Sequence, residues 1–183
     1  MIEEINNCIK ILKRGGVILY PTDTIWGIGC DAKNKNSIKR IYDIKNRNES
    51  KALITLVSDN IMLKEITGFI PNIPLDKKPT TVIYQNITTL PRNLISADSS
   101  AAIRVVKDKF CQNLIKLFGN PIVSTSANIS GENSPEMFSD ISKKIIENVD
   151  YIVDLRKEEK MEIPSKIIKI EKNKSLTIIR SWI

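Results

Sequence analysis

Short apolar runs alternate with stretches of helical period along most of this chain, and that alternation limits the fold more than any other feature. Residues 17–20, 53–57, 80–84, 101–105, 121–124 and 151–154 each have the length and the aliphatic or β-branched content of a strand, and residues 28–30 lead into another extended segment. Between them, Ile5, Cys8, Ile9 and Leu12 recur on one helix face, which Gly15-Gly16 stops. A second helix carries Ile38, Ile41 and Tyr42 on its apolar face, capped by Asn36 or Ser37, with Lys39, Arg40 and Lys45 turned to water or ligand. Ser58-Asp59 opens a third helix running through Ile66; residues 108–118 form a fourth that Gly119 ends; a fifth is expected from the Ser134-Pro135 turn to about Val149. Residues 69–79 hold three prolines and no period, as a loop would. Residues 167–170 and 176–179 form a hairpin around Asn173, and residues 156–162 are expected to be a solvated, charged connection. Helices between strands early and a hairpin late predict an α/β fold with a mixed sheet.

Composition bounds the chemistry. A chain of 183 residues can bury one core, and residues 1–183 are expected to form a single domain. No apolar run approaches the roughly 20 residues that span a bilayer, and Met1-Ile2-Glu3-Glu4 is no leader, so the expected location is cytoplasmic. Cys8, Cys30 and Cys111 are scattered and fit buried small hydrophobes better than a disulfide or zinc site. Histidine is absent, which removes imidazole bases, histidine triads and histidine metal ligands. A net charge of +7 points to an anionic partner, although a chain rich in Lys, Asn and Ile reaches that value without one.

No Walker or complete Rossmann glycine pattern occurs, and Gly27-Ile28-Gly29 alone fits close packing as well as a nucleotide cradle. Four groups suit an anionic substrate, each with a plainer alternative. Lys45, Arg47 and Lys51 can grip phosphate oxygens or merely form a solvated basic helix end. Arg104, among apolar neighbours in a strand, wants a carboxylate or phosphate, from a ligand or from a structural ion pair. Ser124-Thr125-Ser126-Ala127-Asn128 sits at a strand end as a polar loop, fit for anion binding or for capping. Thr22-Asp23-Thr24 can bind a small polar ligand or stabilise its own turn.

In this order, Tyr20-Pro21-Thr22-Asp23-Thr24, Gly27-x-Gly29, Lys45-x-Arg47, Ala102-Ile103-Arg104-Val105, the run from Ser124 through Gly131, and Pro164-Ser165 resemble the YrdC/TsaC threonylcarbamoyl-AMP synthases, over almost the whole chain. The resemblance is to the short form, without an additional C-terminal domain. It implies a twisted mixed β-sheet with flanking helices and a large basic concave pocket. It implies an enzyme joining L-threonine, bicarbonate or carbon dioxide, and ATP into threonylcarbamoyl-adenylate and pyrophosphate, for threonylcarbamoyladenosine in tRNA. By the same resemblance the Lys45-x-Arg47 and Ser126-x-Asn128 pairs carry catalysis. Arg47, Lys51, Ser100, Ser126, Ser134 and Arg180 fall at ATP positions, and Thr24, Arg104, Ser124 and Ser165 at threonine positions. Magnesium is expected to arrive on the ATP phosphates, with no metal ligands from the protein. Proteins that use the adenylate, and tRNA itself, are the further partners implied. Ala52 stands where many members have proline, and Lys166 follows Pro164-Ser165 where threonine is frequent. The alternatives are a non-catalytic RNA-binding module, which the 5% aromatic content does not favour, and a carbamoyl-adenylate domain with another acceptor.

Overall fold

The computed structural model describes residues 1–49, 52–72 and 78–181. Its strands are β1 (Ile18–Tyr20), β2 (Gly27–Gly29), β3 (Ile54–Val57), β4 (Thr80–Tyr84), β5 (Ala101–Val105), β6 (Ile122–Ser126), β7 (Tyr151–Ile152), β8 (Lys166–Ile170) and β9 (Leu176–Arg180). The helices are α1 (Ile2–Lys13), α2 (Lys35–Ile44), α3 (Asn60–Thr67), α4 (Lys109–Phe118) and α5 (Lys143–Ile146). Among the described residues the strands form one mixed sheet in the order β7-β1-β2-β6-β3-β5-β4-β8-β9. β1/β7, β3/β5 and β4/β8 run parallel, and the remaining neighbours antiparallel. No helix among the described residues is long and apolar enough to cross a membrane.

Strand alternation divides the core between the two sheet faces. Ile18, Tyr20, Leu56 and Ile122 join Ile5, Cys8 and Leu12 of α1 and Phe110, Leu114 and Phe118 of α4 in one cluster. Their chain neighbours Leu19, Val57 and Val123 face the other way, into a cluster with Ile38, Ile41 and Tyr42 of α2 and Leu63 of α3. The helix ends follow local chemistry. Gly15, at φ +76°, lets the chain leave α1 while its N–H bonds Leu12 O, and the Asp108 side chain caps α4 through Cys111 N at 2.8 Å.

Three local expectations change. The cap of α2 is Asn34, whose Oδ1 accepts from the N–H groups of both Asn36 and Ser37, so the two expected caps are instead the capped residues. Thr125 and Ser126 are not loop: β2 offers them a ladder, Ile28 opposite Thr125 and Gly27 opposite Ser126, and β6 runs on through both. The long helix expected after Ser134-Pro135 shrinks to a 3-10 turn at Phe138–Asp140 and the single turn of α5. There the helical hydrogen-bond partners are taken: the Asp140 side chain accepts from Met137 N, and Glu136 O accepts from Met161 N at 2.6 Å. Phe138 meanwhile packs on Trp26, ring centroids 5.2 Å apart.

The charged connection at residues 156–162 is anchored, not simply solvated. Arg156 takes φ +56°, pairs with Asp108 and Glu159, and donates to Thr22 O, while Met161 is buried.

Candidate active site

Register builds the site. Ile54 of β3 stands opposite Ser124 of β6 and Ala102 of β5, and Leu56 stands opposite Ile122 and Arg104. Directly opposed residues share a face, so all six side chains lie on the α1/α4 side of the sheet. Leu56 and Ile122 are covered by those helices. Along the same face of these strands, Ile54, Ala102, Ser124 and Ser126 floor a cavity of about 320 Å³. The turn at Thr22 to Gly27, Arg47, and Pro164-Ser165 wall it, and Ile83, Ile167 and Ile179 extend an apolar side towards β9.

Three guanidiniums reach this cavity, from Arg47, Arg104 and Arg180, and no carboxylate lines it among the described residues. Burial holds Arg47 below its ordinary pKa; burial and then the nearby Arg104 cation do the same for Arg180. Such crowding of like charges suits a strongly anionic occupant. Arg47 follows Asn46, itself at φ +49°, and donates from Nη2 to Ala52 O at 3.1 Å. Arg104 is 3% exposed; its Nη2 lies 3.1 Å from Asp23 Oδ1 and donates to Thr24 Oγ1 at 3.4 Å, while its buried Nε has no partner among the described residues. The ligand and ion-pair alternatives for Arg104 therefore coexist: one edge of the guanidinium is held by the protein, and the Nε–H is left to bond.

The two threonines of the opening turn divide the roles that the sequence left open. Thr22 Oγ1 accepts from Thr24 N and Ile25 N and donates to Ile25 O at 2.7 Å, which makes it the hub of the turn. With that hydroxyl hydrogen committed, Thr24 is the donor in the 2.9 Å contact between the two hydroxyls. Thr24 Oγ1, which also receives Arg104, meets the cavity as an acceptor. Gly27 keeps the floor open beside it: a Cβ there would come within 3.0 Å of Ser124 Oγ. Ser165 is buried, its Oγ 2.8 Å from Thr81 Oγ1 and its carbonyl held by Arg180.

Of the residues expected from sequence, the cavity brings together Thr24, Arg47, Arg104, Ser124, Ser126, Ser134, Ser165 and Arg180. Three others stand off its wall. Lys45, expected to face water or ligand, is 1% exposed and spends its ammonium on the carbonyls of Ser126 and Asn128, while its own carbonyl accepts Ser130 N at 2.8 Å. Burial, reinforced by the Arg47 cation, lowers its pKa to about 7. Lys45 thus braces the end of β6 from below. Asn128 donates through Nδ2 to Ile129 O and Glu132 O and shapes the following turn. Ser100 is buried and donates to Asp98 at 2.6 Å. Lys51 lies outside the described residues. Thr22 and Gly27, for which the sequence left a ligand role and a structural role open, also line the cavity; sequence reasoning missed Ile54, Ile83 and Ala102 as lining residues, and counting by twos from Arg104 and pairing the strands finds Ala102 and Ile54.

The chain and its fold have counterparts among known proteins. A threonylcarbamoyl-AMP synthase of Pseudoalteromonas translucida is 34% identical over 157 residues, covering 80% of this chain and 82% of that protein. Among solved structures, E. coli YciO superposes with a TM-score of 0.82 at 23% identity, covering all of this chain and 91% of the other. P. abyssi Sua5 complexed with L-threonine superposes with a TM-score of 0.83, also at 23% identity; it covers 97% of this chain, which spans only 54% of that protein. At such identities the likeness speaks for the fold. The family model described as "Telomere recombination", that of Sua5, YciO and YrdC, matches residues 10–181. The chain belongs to the Sua5/YciO/YrdC family.

Proposed function

We propose that this protein is a threonylcarbamoyl-AMP synthase, a nucleotidyltransferase making L-threonylcarbamoyladenylate and pyrophosphate from L-threonine, bicarbonate or carbon dioxide, and ATP, for threonylcarbamoyladenosine in tRNA. The observation that carries it is the convergence of Arg47, Arg104 and Arg180, with the hydroxyls of Thr24, Ser124 and Ser126, on one cavity whose wall has no acidic side chain among the described residues. The relative of the same activity at 34% identity supports it.

The chemistry suits a chain without histidine. Threonine's amine adds to carbon dioxide and gives up a proton, forming a carbamate; a carbamate oxygen then attacks the α-phosphate of ATP, and pyrophosphate leaves in line. Such a displacement depends on alignment and on neutralising charge more than on a strong base. Arg104 takes the threonine carboxylate through Nε, Thr24 Oγ1 accepts from the amino group, and Ser124 and Ser165 border this subsite. Arg47 and Arg180 face the phosphates, with Ser126 and Ser134 beside them. Lys45 acts beneath the site, holding the Ser126 carbonyl. Magnesium belongs to the substrate as MgATP: among the described residues the wall has no carboxylate to offer as a ligand, so the ion keeps phosphate oxygens and waters. Proteins that consume the adenylate, and tRNA as a direct partner, complete the proposed setting, in the cytoplasm.

The test is pyrophosphate release from MgATP with each component left out in turn. Release that needs threonine and bicarbonate together supports the synthase; release indifferent to either refutes it. The RNA-binding alternative requires tRNA binding that ATP and threonine leave unchanged.

A further inference from the structure

Thr81 of β4 is fully buried, and among the described residues its hydroxyl has one partner, Ser165 Oγ at 2.8 Å. It stands opposite Ile167 in the parallel β4/β8 pair, on the sheet face that Ile83 and Ile167 show to the cavity. Thr81 does not line the cavity itself, but its partner Ser165 does. A strand position of this kind asks only for a β-branched shape, which valine supplies without a hydroxyl to satisfy. The direction of the bond follows from where each hydrogen can go. A buried hydroxyl hydrogen left without an acceptor is costly, and Ser165 Oγ is the acceptor that Thr81 meets. Ser165 has the cavity as a second outlet, and its oxygen already takes Arg180 Nη2 at 3.4 Å. Thr81 is therefore the donor. The lone pairs of Ser165 Oγ are occupied by the protein, and its hydrogen is left for the occupant of the cavity.

Resting on the synthase reading, we propose that Thr81 is a positioning residue that sets the Ser165 hydroxyl as a hydrogen-bond donor to an oxygen of the amino-acid substrate. The threonine subsite then carries two hydroxyls of opposite sense. Thr24 spends its hydrogen on Thr22 and meets the substrate as an acceptor, while Ser165 receives Thr81 and meets it as a donor. An amino acid carries donors on its nitrogen and acceptors on its carboxylate, so this pair of hydroxyls favours one orientation over its reverse. Without the Thr81 hydroxyl, Ser165 keeps only the longer contact from Arg180, and nothing else among the described residues fixes its rotamer or the sense of its bond.

The experiment measures steady-state pyrophosphate release by the full chain and its Thr81→Val and Thr81→Ser variants, with threonine and MgATP varied in turn, alongside melting temperatures. Thr81→Val keeps the shape and loses the donor: the threonine KM should rise about three- to ten-fold, with the ATP KM within about two-fold of the parent. Thr81→Ser keeps the donor and loses a buried methyl: the melting temperature should fall while the threonine KM stays within about two-fold of the parent. A merely structural role gives the opposite pattern, with Thr81→Ser impaired in threonine KM and Thr81→Val not, and would overturn the proposal. Should Thr81→Val fail to fold, Thr81→Ala set against Thr81→Ser makes the same comparison, since both lack the methyl and only Thr81→Ser keeps the hydroxyl. A parental threonine KM in the variant without the hydroxyl contradicts the proposal, as does a parallel rise in both KM values. If the parent shows no threonine-dependent release, the synthase reading falls and this proposal with it.

Discussion

Arg180 donates twice to one acceptor, the carbonyl oxygen of Ser165, from Nε at 3.0 Å and from Nη2 at 2.8 Å. The last residue of β9 thereby fixes the segment just before β8, and Ser165, buried against Thr81, becomes a rigid part of the cavity wall. Replacing Arg180 by Lys keeps a cation but cannot reproduce the two-pronged contact. With charged hydrogen bonds worth about 1.5–3 kcal/mol, Arg180→Lys should lower kcat/KM by about ten- to a hundred-fold. Steady-state kinetics with both substrates varied checks this, and a variant with parental kinetics would show that the bracket is dispensable.

Lys45 gives a pH signature. Its pKa falls from the ordinary lysine range when folded to about 7, so between about pH 7 and 10 the unfolded chain binds more protons at this side chain than the folded one. Stability contributed by Lys45 therefore rises with pH across that window and is flat below it. The buried thiols of Cys8, Cys30 and Cys111 are all shifted upward by burial and oppose the trend at the alkaline end, where unfolded cysteines ionise. The clean measurement is the difference in melting temperature between the parent and Lys45→Met from pH 6 to 8.5. It should widen in the parent's favour as pH rises, and a constant difference contradicts the shift.

The two glycines of β2 should respond differently to alanine. At Gly29 the added Cβ would lie 2.2 Å from the Val123 carbonyl, a backbone atom of the neighbouring strand that cannot step aside. Gly29→Ala should cost about 3 kcal/mol or more in a denaturant melt. At Gly27 the nearest atom is the Ser124 hydroxyl at 3.0 Å, which can turn away. Gly27→Ala should leave stability within about 1 kcal/mol of the parent and raise the threonine KM instead, since it crowds a hydroxyl of that subsite.

Much of the fold was legible because its strands are short, apolar and separated by helices with an evident buried face. The Asp59 and Asp108 caps and the Gly68 and Gly119 stops sit where the local chemistry places them. What failed was non-local. Thr125 and Ser126 look like loop until β2 supplies a ladder, and residues 136–142 look helical until Trp26 and Met161 claim Phe138 and Glu136. Lys45 shows the same limit at the site. A lysine at a helix end is expected to face water, and only the return of β6 above it provides two carbonyls to bury it against. Arg104 was conspicuous as a cation in an apolar strand, but Asp23 behind it is distant in sequence by 81 positions, counting from 23 to 104, and nothing local announces the pair.

The account requires one cavity with two separable ends, Arg104 for the amino acid and Arg47 for the nucleotide. The most direct measurement is pyrophosphate release by Arg104→Ala and Arg47→Ala, each titrated with threonine at saturating ATP and with ATP at saturating threonine. Arg104→Ala should raise the threonine KM about ten- to a hundred-fold with little change for ATP, and Arg47→Ala should do the reverse. Equal losses for both substrates in both variants would contradict the division of the cavity.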